Sequence, residues 1–280
     1  MTLALEARGY EVFGLAQANP AGESNVVAVD LCDPDGMKAA VARLQPDVVV
    51  HLAAIAFVAH GDVQGIYRTN VAGSRNLMAA LAASPRKPTA VLLASSANVY
   101  GNTTEGVIDE TVPPAPANDY AVSKLAMEFM AALWHAQLPV TIARPFNYTG
   151  VGQAPEFLLP KIVDHFRRKA PVLELGNLDV ERDFSDVRMV ADAYARLLEA
   201  GRPKATFNVC SGQGYTLREV LAMATELTGH TPDIRVNPAF VRANEVKKLV
   251  GSKAALEAAI GPVTPIPLRE TLRWMLDSND

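Results

Sequence analysis

A chain of 280 residues fits one large domain or two coupled ones at about 150 residues each. Apolar residues make up 49% and charged residues 20%, a globular balance that excludes a mostly disordered polypeptide. The charge sum is 26 − 30 = −4, so the basic excess of a nucleic-acid binder is missing, and no run reaches the ~18 apolar residues that cross a bilayer. Residues 1–6 carry no basic stretch like that of a signal peptide, so a cytoplasmic protein is the default expectation. Cys32 and Cys210 lie far apart in the chain, which predicts two free buried thiols. The histidines show no metal-ligand spacing, and no metal is expected.

The chain opens with a helix-like stretch, Thr2–Ala7. Tyr10–Leu15, Val26–Val29, Val48–Leu52, Ala90–Ala94 and Val140–Ala143 are short apolar runs that read as buried parallel strands. Helical patterns lie between them. Asp33-Pro34 caps one that runs to about Leu44, and Ile66–Ala83 and Tyr120–Gln137 are two longer ones. Strand and helix in this alternation predict a doubly wound α/β sheet. After Pro145 the rhythm is more broken, with helices over Glu156–Lys169, Asp186–Ala200, Thr216–Thr228, Ser252–Ala259 and Pro267–Leu276, and strands at Val172–Leu175 and Ala205–Val209. This half reads as a smaller α/β lobe. The expected division is a first domain of residues 1–145 plus about 186–209 and a second lobe of 146–185 plus about 210–280.

Tyr120 and Lys124 are four residues apart, so a helix presents both on one face. An ammonium beside a phenol favours the phenolate and readies it for proton transfer near neutral pH. Alone, the spacing fits a surface helix pair as well. Upstream, Val91–Ala94 is a buried strand that ends in Ser95-Ser96, and strand carboxyl ends face the ligand crevice in such sheets. A hydroxyl there can steady an oxygen that gains charge.

Ser96, Tyr120 and Lys124 in this order resemble the extended short-chain dehydrogenase/reductase family, the NAD-dependent epimerases and dehydratases, and the resemblance spreads over nearly the whole chain. It implies a Rossmann-like dinucleotide domain with a sugar-nucleotide lobe. It also implies cofactor contacts from Asp30 and Leu31, from Leu52, Ala53 and Ala54 after His51, from Asn70 in Asn70-Val71-Ala72-Gly73, from Tyr120 and Lys124, and from Pro145 and Phe146. Ser96, Asn147, Arg182 of Arg182-Asp183-Phe184, and Arg242 and Glu245 of Arg242-Ala243-Asn244-Glu245-Val246 would meet the substrate, the arginines on phosphate through bidentate bonds. His51 is given no chemical role.

Departures from the family narrow the reaction. The Asp-Glu pair of the 4,6-dehydratases is replaced by Ala97-Asn98, and the proton shuttles of the 3,5-epimerase/reductases are also missing. Ser/Tyr/Lys with a nicotinamide suffices for reduction of a ketone. Leu175-Gly176-Asn177-Leu178-Asp179-Val180-Glu181-Arg182-Asp183, with Arg144-Pro145-Phe146-Asn147 and Gly251-Ser252-Lys253, resembles reductases of GDP-4-keto-6-deoxy-D-mannose. The resemblance implies NAD(P)H-dependent reduction of the C4 ketone of a GDP-4-keto-6-deoxy sugar to a GDP-D-rhamnose-type product. The alternatives are an NDP-sugar 4-epimerase and an inactive sugar-nucleotide binder. Gly14–Asn19 contains neither an acid nor an arginine, which favours NADP(H) and leaves NAD(H) possible.

No G-x-x-G-x-x-G or G-x-G-x-x-G turn occurs. By the family pattern a first strand and glycine-rich turn, roughly 15 to 20 residues, are lacking ahead of Thr2. A start placed too late and a truncated product both explain this. The chain as written is then expected to bind cofactor weakly and dissolve poorly, and titration with NADPH beside an upstream-extended version checks it. Relatives commonly form homodimers through the Ile66–Ala83 and Tyr120–Gln137 helices. Ala79, Ala80, Leu133 and Trp134 could serve that face or simply pack on the sheet.

Overall fold

The computed structural model describes residues 1–19, 21–56, 61–102, 106–240 and 247–278. In chain order the elements are α1 (Thr2–Glu6), β1 (Gly14–Ala16), β2 (Val26–Ala28), α2 (Pro34–Leu44), β3 (Val48–His51), α3 (Val63–Tyr67), a π-helical turn (Arg68–Gly73), α4 (Ser74–Ala83), β4 (Ala90–Ala94), a 3-10 turn (Ala97–Tyr100), β5 (Gly106–Ile108) and α5 (Asp119–Ala132). They continue with β6 (Val140–Pro145), β7 (Asn147–Thr149), α6 (Leu158–Arg167), β8 (Val172–Leu175), β9 (Glu181–Asp186), α7 (Val187–Ala200), β10 (Thr206–Val209), β11 (Gly214–Thr216), α8 (Leu217–Thr228), β12 (Asp233–Val236), β13 (Lys248–Gly251), α9 (Ala254–Ile260) and α10 (Leu268–Asp277). Among the described residues no helix is long and apolar enough to cross a membrane.

The fold is doubly wound α/β with a second, smaller lobe. Two compact units form, one of Met1–Gly101, Pro114–Arg144 and Ala191–Phe207, the other of Asn102–Pro113, Pro145–Val190 and Asn208–Asp280. In the first, β3, β4 and β6 run parallel and the sheet order is β10-β6-β4-β3. β1 and β2 form a separate parallel ladder. Successive residues of a strand face opposite sides. Val91 and Leu93 accordingly join Met37 and Val41 of α2, Leu77, Met78 and Leu81 of α4, and Met127 and Met130 of α5 in one core. On the other side Leu92 and Thr141 line a cavity of about 150 Å³ with Leu197 and Leu198 of α7. Arg8 ties the end of α1 to α7 by donating to Asp192 at 2.5 Å.

Local signals set most boundaries. Asp33 caps α2 by accepting from Asp35 N, with Pro34 in the first turn, as its sequence predicts. Asn118 caps α5. The single helix expected over Ile66–Ala83 is interrupted by the π-helical turn, a tertiary effect taken up below. Ala80 is buried and Trp134 packs against the same core, whereas Leu133 is 78% exposed, so of the residues set out for an interface only Leu133 is free at the surface. Cys210 is a buried free thiol, but Cys32 is only half-buried, because it lies in the turn that leaves β2.

In the second unit the sheet order is β11-β9-β13-β5, with β7 also on β9. β5 belongs here, rather than with the first domain in which its position in the chain would place it, because Gly106–Ile108 pairs with Leu249–Gly251. Leu159, Ile162, Val163 and Phe166 of α6 form this unit's core with Leu173 and Leu175 of β8, Val220 of α8 and Leu272 of α10.

Candidate active site

β4 delivers two serines at its carboxyl end. Ser95 N donates to Ala143 O at 2.7 Å and continues the ladder. Ser96 then leaves the sheet and caps the 3-10 turn, its Oγ accepting from Asn98 N at 3.1 Å. α5 brings the other two groups. Asn118 Oδ1 accepts from Ala121 N at 2.9 Å and fixes the phase of the first turn, in which Tyr120 sits. Lys124, one turn on, donates from Nζ to Ala94 O at 2.7 Å, the residue two before Ser96. Helical spacing sets Tyr120 and Lys124 on one face of α5, and this bond ties the ammonium to the strand end that leads into Ser96. All three are buried, at 7%, 8% and 3% exposure, so the phenol of Tyr120 is not a surface group. Burial holds the Lys124 ammonium down at about 8, against the charge of Glu128, which raises it.

A hydrogen-bonded net lies behind them. Asn70 Oδ1 accepts from Ile55 N at 2.8 Å, and its Nδ2 donates to Ile55 O at 3.1 Å and to Ser123 Oγ at 3.0 Å. Ser123 Oγ in turn donates to Tyr120 O at 2.7 Å. Asn70 O accepts from Ser74 Oγ at 2.7 Å, which leaves that oxygen to accept from His51 Nε2 at 2.7 Å. His51 is therefore a bonded core histidine. Burial, then the charge of Lys124, pull it down to about 3. Its folded value lies below the ordinary 6.5, so the unfolded chain takes up the extra proton between the two. The stability contributed by neutral His51 is present above about pH 6.5 and is lost as pH falls towards about 3, at up to ~1.4 kcal/mol per pH unit. Urea unfolding at stepped pH is expected to show this slope, and His51→Gln to remove it.

Asp30 is exposed and closes its own turn, Oδ1 accepting from Cys32 N at 2.8 Å. Leu31 packs against Gly73 so closely that a Cβ there would stand 2.7 Å from Leu31 Cγ, which explains the glycine of Asn70-Val71-Ala72-Gly73. Leu52 is 47% exposed and Ala53 exposed directly after a buried strand end, with Ala54 half-buried. Pro145, Phe146, Asn147 and Arg182 belong to the second unit. Phe146 is buried, its N donating to Val209 O at 2.9 Å. Asn147 Nδ2 donates to Asp183 O at 3.2 Å, and Arg182 Nη1 to Glu181 O at 2.9 Å. Asp183 is fully buried and accepts from Ser211 N, Ser211 Oγ and Gly212 N at 3.0, 2.7 and 2.9 Å. Strand alternation turns it and Arg182 to opposite faces. Arg242 and Glu245 lie outside the described residues.

Sequence reasoning missed Ser74 and Ser123 as parts of this network, and also Glu128, whose Oε1 accepts from Ser95 Oγ at 2.5 Å. Only Glu128 carried a usable signal, since it continues the four-residue spacing of Tyr120 and Lys124.

A parallel α/β sheet with a buried serine after β4 and a buried tyrosine and lysine on α5 is an arrangement suited to a nicotinamide-dependent enzyme. The chain belongs to the NAD dependent epimerase/dehydratase family, whose model matches residues 1–210. It is an NAD(P)-binding enzyme. It is 37% identical over 258 residues to the GDP-6-deoxy-D-mannose reductase of Pseudomonas aeruginosa, covering 88% of this chain and 84% of that one. It is 32% identical over 256 residues to the GDP-6-deoxy-D-talose 4-dehydrogenase of Aggregatibacter actinomycetemcomitans, covering 91% and 84%. Among solved structures, a Burkholderia cenocepacia J2315 protein named only as an epimerase superposes with TM-score 0.92 at 54% identity, over 98% of this chain and 91% of that one. RMD from Pseudomonas aeruginosa, complexed with NADPH, superposes with TM-score 0.83 at 33% identity, over 98% and 93%.

The residues present fit such a cofactor. The buried Lys124 ammonium has three N–H donors and, among the described residues, one bonded acceptor, Ala94 O. The spare donors suit ribose hydroxyls, and the uncovered Leu52 and Ala53 suit an apolar ring face.

Proposed function

We propose that this enzyme reduces the C4 ketone of a GDP-4-keto-6-deoxy sugar to a GDP-D-rhamnose-type product, with NADPH favoured over NADH. The observation that carries the reading is the buried Tyr120–Lys124 face bonded to the strand end beside Ser96, with Ala97-Asn98 where elimination would need two carboxyl groups. The Pseudomonas and Aggregatibacter relatives bear names that refer to GDP-6-deoxyhexoses. A dihydronicotinamide held by Lys124, Leu52 and Ala53 would supply the hydride. Tyr120 gives its phenolic proton to the C4 oxygen, and Ser96 donates a hydrogen bond to the same oxygen as charge builds on it. Lys124 favours the phenolate that is left and holds ribose hydroxyls. The first unit binds the dinucleotide. Asn147 and Arg182 of the second unit, with Arg242 and Glu245, bind the sugar nucleotide.

The two relatives' names differ in configuration at C4, D-manno against D-talo, so the stereochemistry of the product is the sharpest readout. Incubation with GDP-4-keto-6-deoxy-D-mannose and NADPH is expected to consume one cofactor per sugar and give an equatorial C4 hydroxyl by proton NMR. Turnover of an NDP-sugar without net NADPH consumption would establish a 4-epimerase instead, the reading that the Burkholderia name favours. Binding of GDP without NADPH oxidation would leave only a binder.

We also propose a homodimer through α5. Val122, Phe129 and Leu133 form one stripe on its outer face, at 38%, 69% and 78% exposure. Light scattering is expected to give twice the 30.0 kDa chain mass, and the pair Phe129→Glu and Leu133→Glu to give the monomer.

A further inference from the structure

Behind the candidate reacting groups a buried ion pair joins α5 to the ends of two strands. Arg144 Nε and Nη2 donate to Glu128 Oε1 and Oε2 at 2.9 and 2.6 Å, with side-chain exposures of 8% and 9%. Ser95 Oγ donates to the same Oε1 at 2.5 Å. Arg144 Nη1 donates to Tyr100 OH at 3.0 Å, and the guanidinium lies 5.0 Å from the centre of that ring. One carboxylate therefore gathers α5, the end of β4 and the end of β6. Its partners flank the site residues closely. Glu128 is one turn beyond Lys124 and two beyond Tyr120, Ser95 precedes Ser96, and Tyr100 ends the turn that Ser96 caps.

Desolvation makes a buried ion pair a weak source of stability, so its placement calls for another account. We propose that Glu128 is a positioning residue: by clamping Ser95 and Arg144 it holds the lysine turn of α5 against the end of β4. This rests on the reading of Tyr120 and Lys124 as the reacting pair. The groups that face Lys124 act in known directions. Burial opposes the ammonium and Glu128, four residues on along the same helix, favours it, while the cation Arg144 on β6 is paired with Glu128. From β3 comes His51, neutral at working pH, and from β4 the carbonyl of Ala94. Tyr120 is neutral while it holds its proton.

The test reads Lys124 directly, by NMR titration of the whole protein labelled at lysine Cε, with the signal assigned by its loss in Lys124→Met. Glu128→Gln keeps the shape and removes the charge, and is expected to move the Lys124 midpoint down by roughly one pH unit. Arg144→Met leaves the carboxylate unopposed and is expected to move it up. The double variant removes both members of the ion pair, so neither is left buried without the other, and it folds where a single variant fails. It is expected to titrate below wild type, because the carboxylate that favours the ammonium is gone. A Lys124 midpoint unchanged in the folded variants, with only thermal stability lowered, overturns the proposal, as does a double variant at or above wild type. In ketone reduction the alkaline limb of kcat is expected to move with the NMR midpoint while KM holds. Loss of that arm alone, with the NMR shifts intact, counts against the substrate reading and not against the role of Glu128.

Discussion

Tyr120→Phe is expected to lower kcat for ketone reduction by roughly 10²–10³-fold, the usual cost of one proton-donating or oxyanion-stabilising group at a reacting oxygen. The substitution removes one oxygen from a ring that is 8% exposed and leaves the ring's packing in place. KM is expected to stay within about twofold, because the lost interaction grows in the transition state and adds little to ground-state binding. Circular dichroism and the thermal midpoint check that the fold survives. Steady-state kinetics with NADPH and the 4-keto sugar check the rest. Turnover like that of wild type in a folded Tyr120→Phe protein would remove the phenol from the mechanism.

Gly101→Ala is expected to have the largest effect on stability. Gly101 ends the 3-10 turn with φ +71, in the region that side chains rarely adopt. An added Cβ would stand 1.7 Å from the backbone oxygen of Ala115. Ala115 cannot withdraw freely, since its N donates to Val99 O at 2.9 Å. Backbone strain and overpacking together are expected to cost at least ~3 kcal/mol. The urea midpoint should fall with little change in m. Because the same turn is capped by Ser96, the fraction that remains folded should also lose activity.

Several elements were legible from neighbouring residues alone. Val48–His51 and Ala90–Ala94 stand where short β-branched and apolar runs predict them. Asp33-Pro34 announces α2, and Thr216 begins α8 with a full capping box to Glu219. The shared face of Tyr120 and Lys124 follows from helix geometry once α5 exists. Other elements carried no such signal. The Arg68–Gly73 π turn interrupts a stretch with good helical periodicity. The reason is visible only in space, where the Asn70 amide is bonded to both backbone groups of Ile55. β5 and β13 are too short and too distant in the chain to be paired by pattern, and each becomes a strand by lying beside the other.

By itself, then, the order of residues determined the alternation of strand and helix, the phase of α5 and the chemical types available for reaction, since hydrophobic period and capping act within a few residues. The tertiary structure alone decided that the Lys124 ammonium would meet Ala94 O, that Glu128 would be matched by Arg144, and that His51 would be tied to Ser74. Such partnerships join separate elements across the chain. Each partner is drawn in because a buried polar or charged group must find another as packing removes its water.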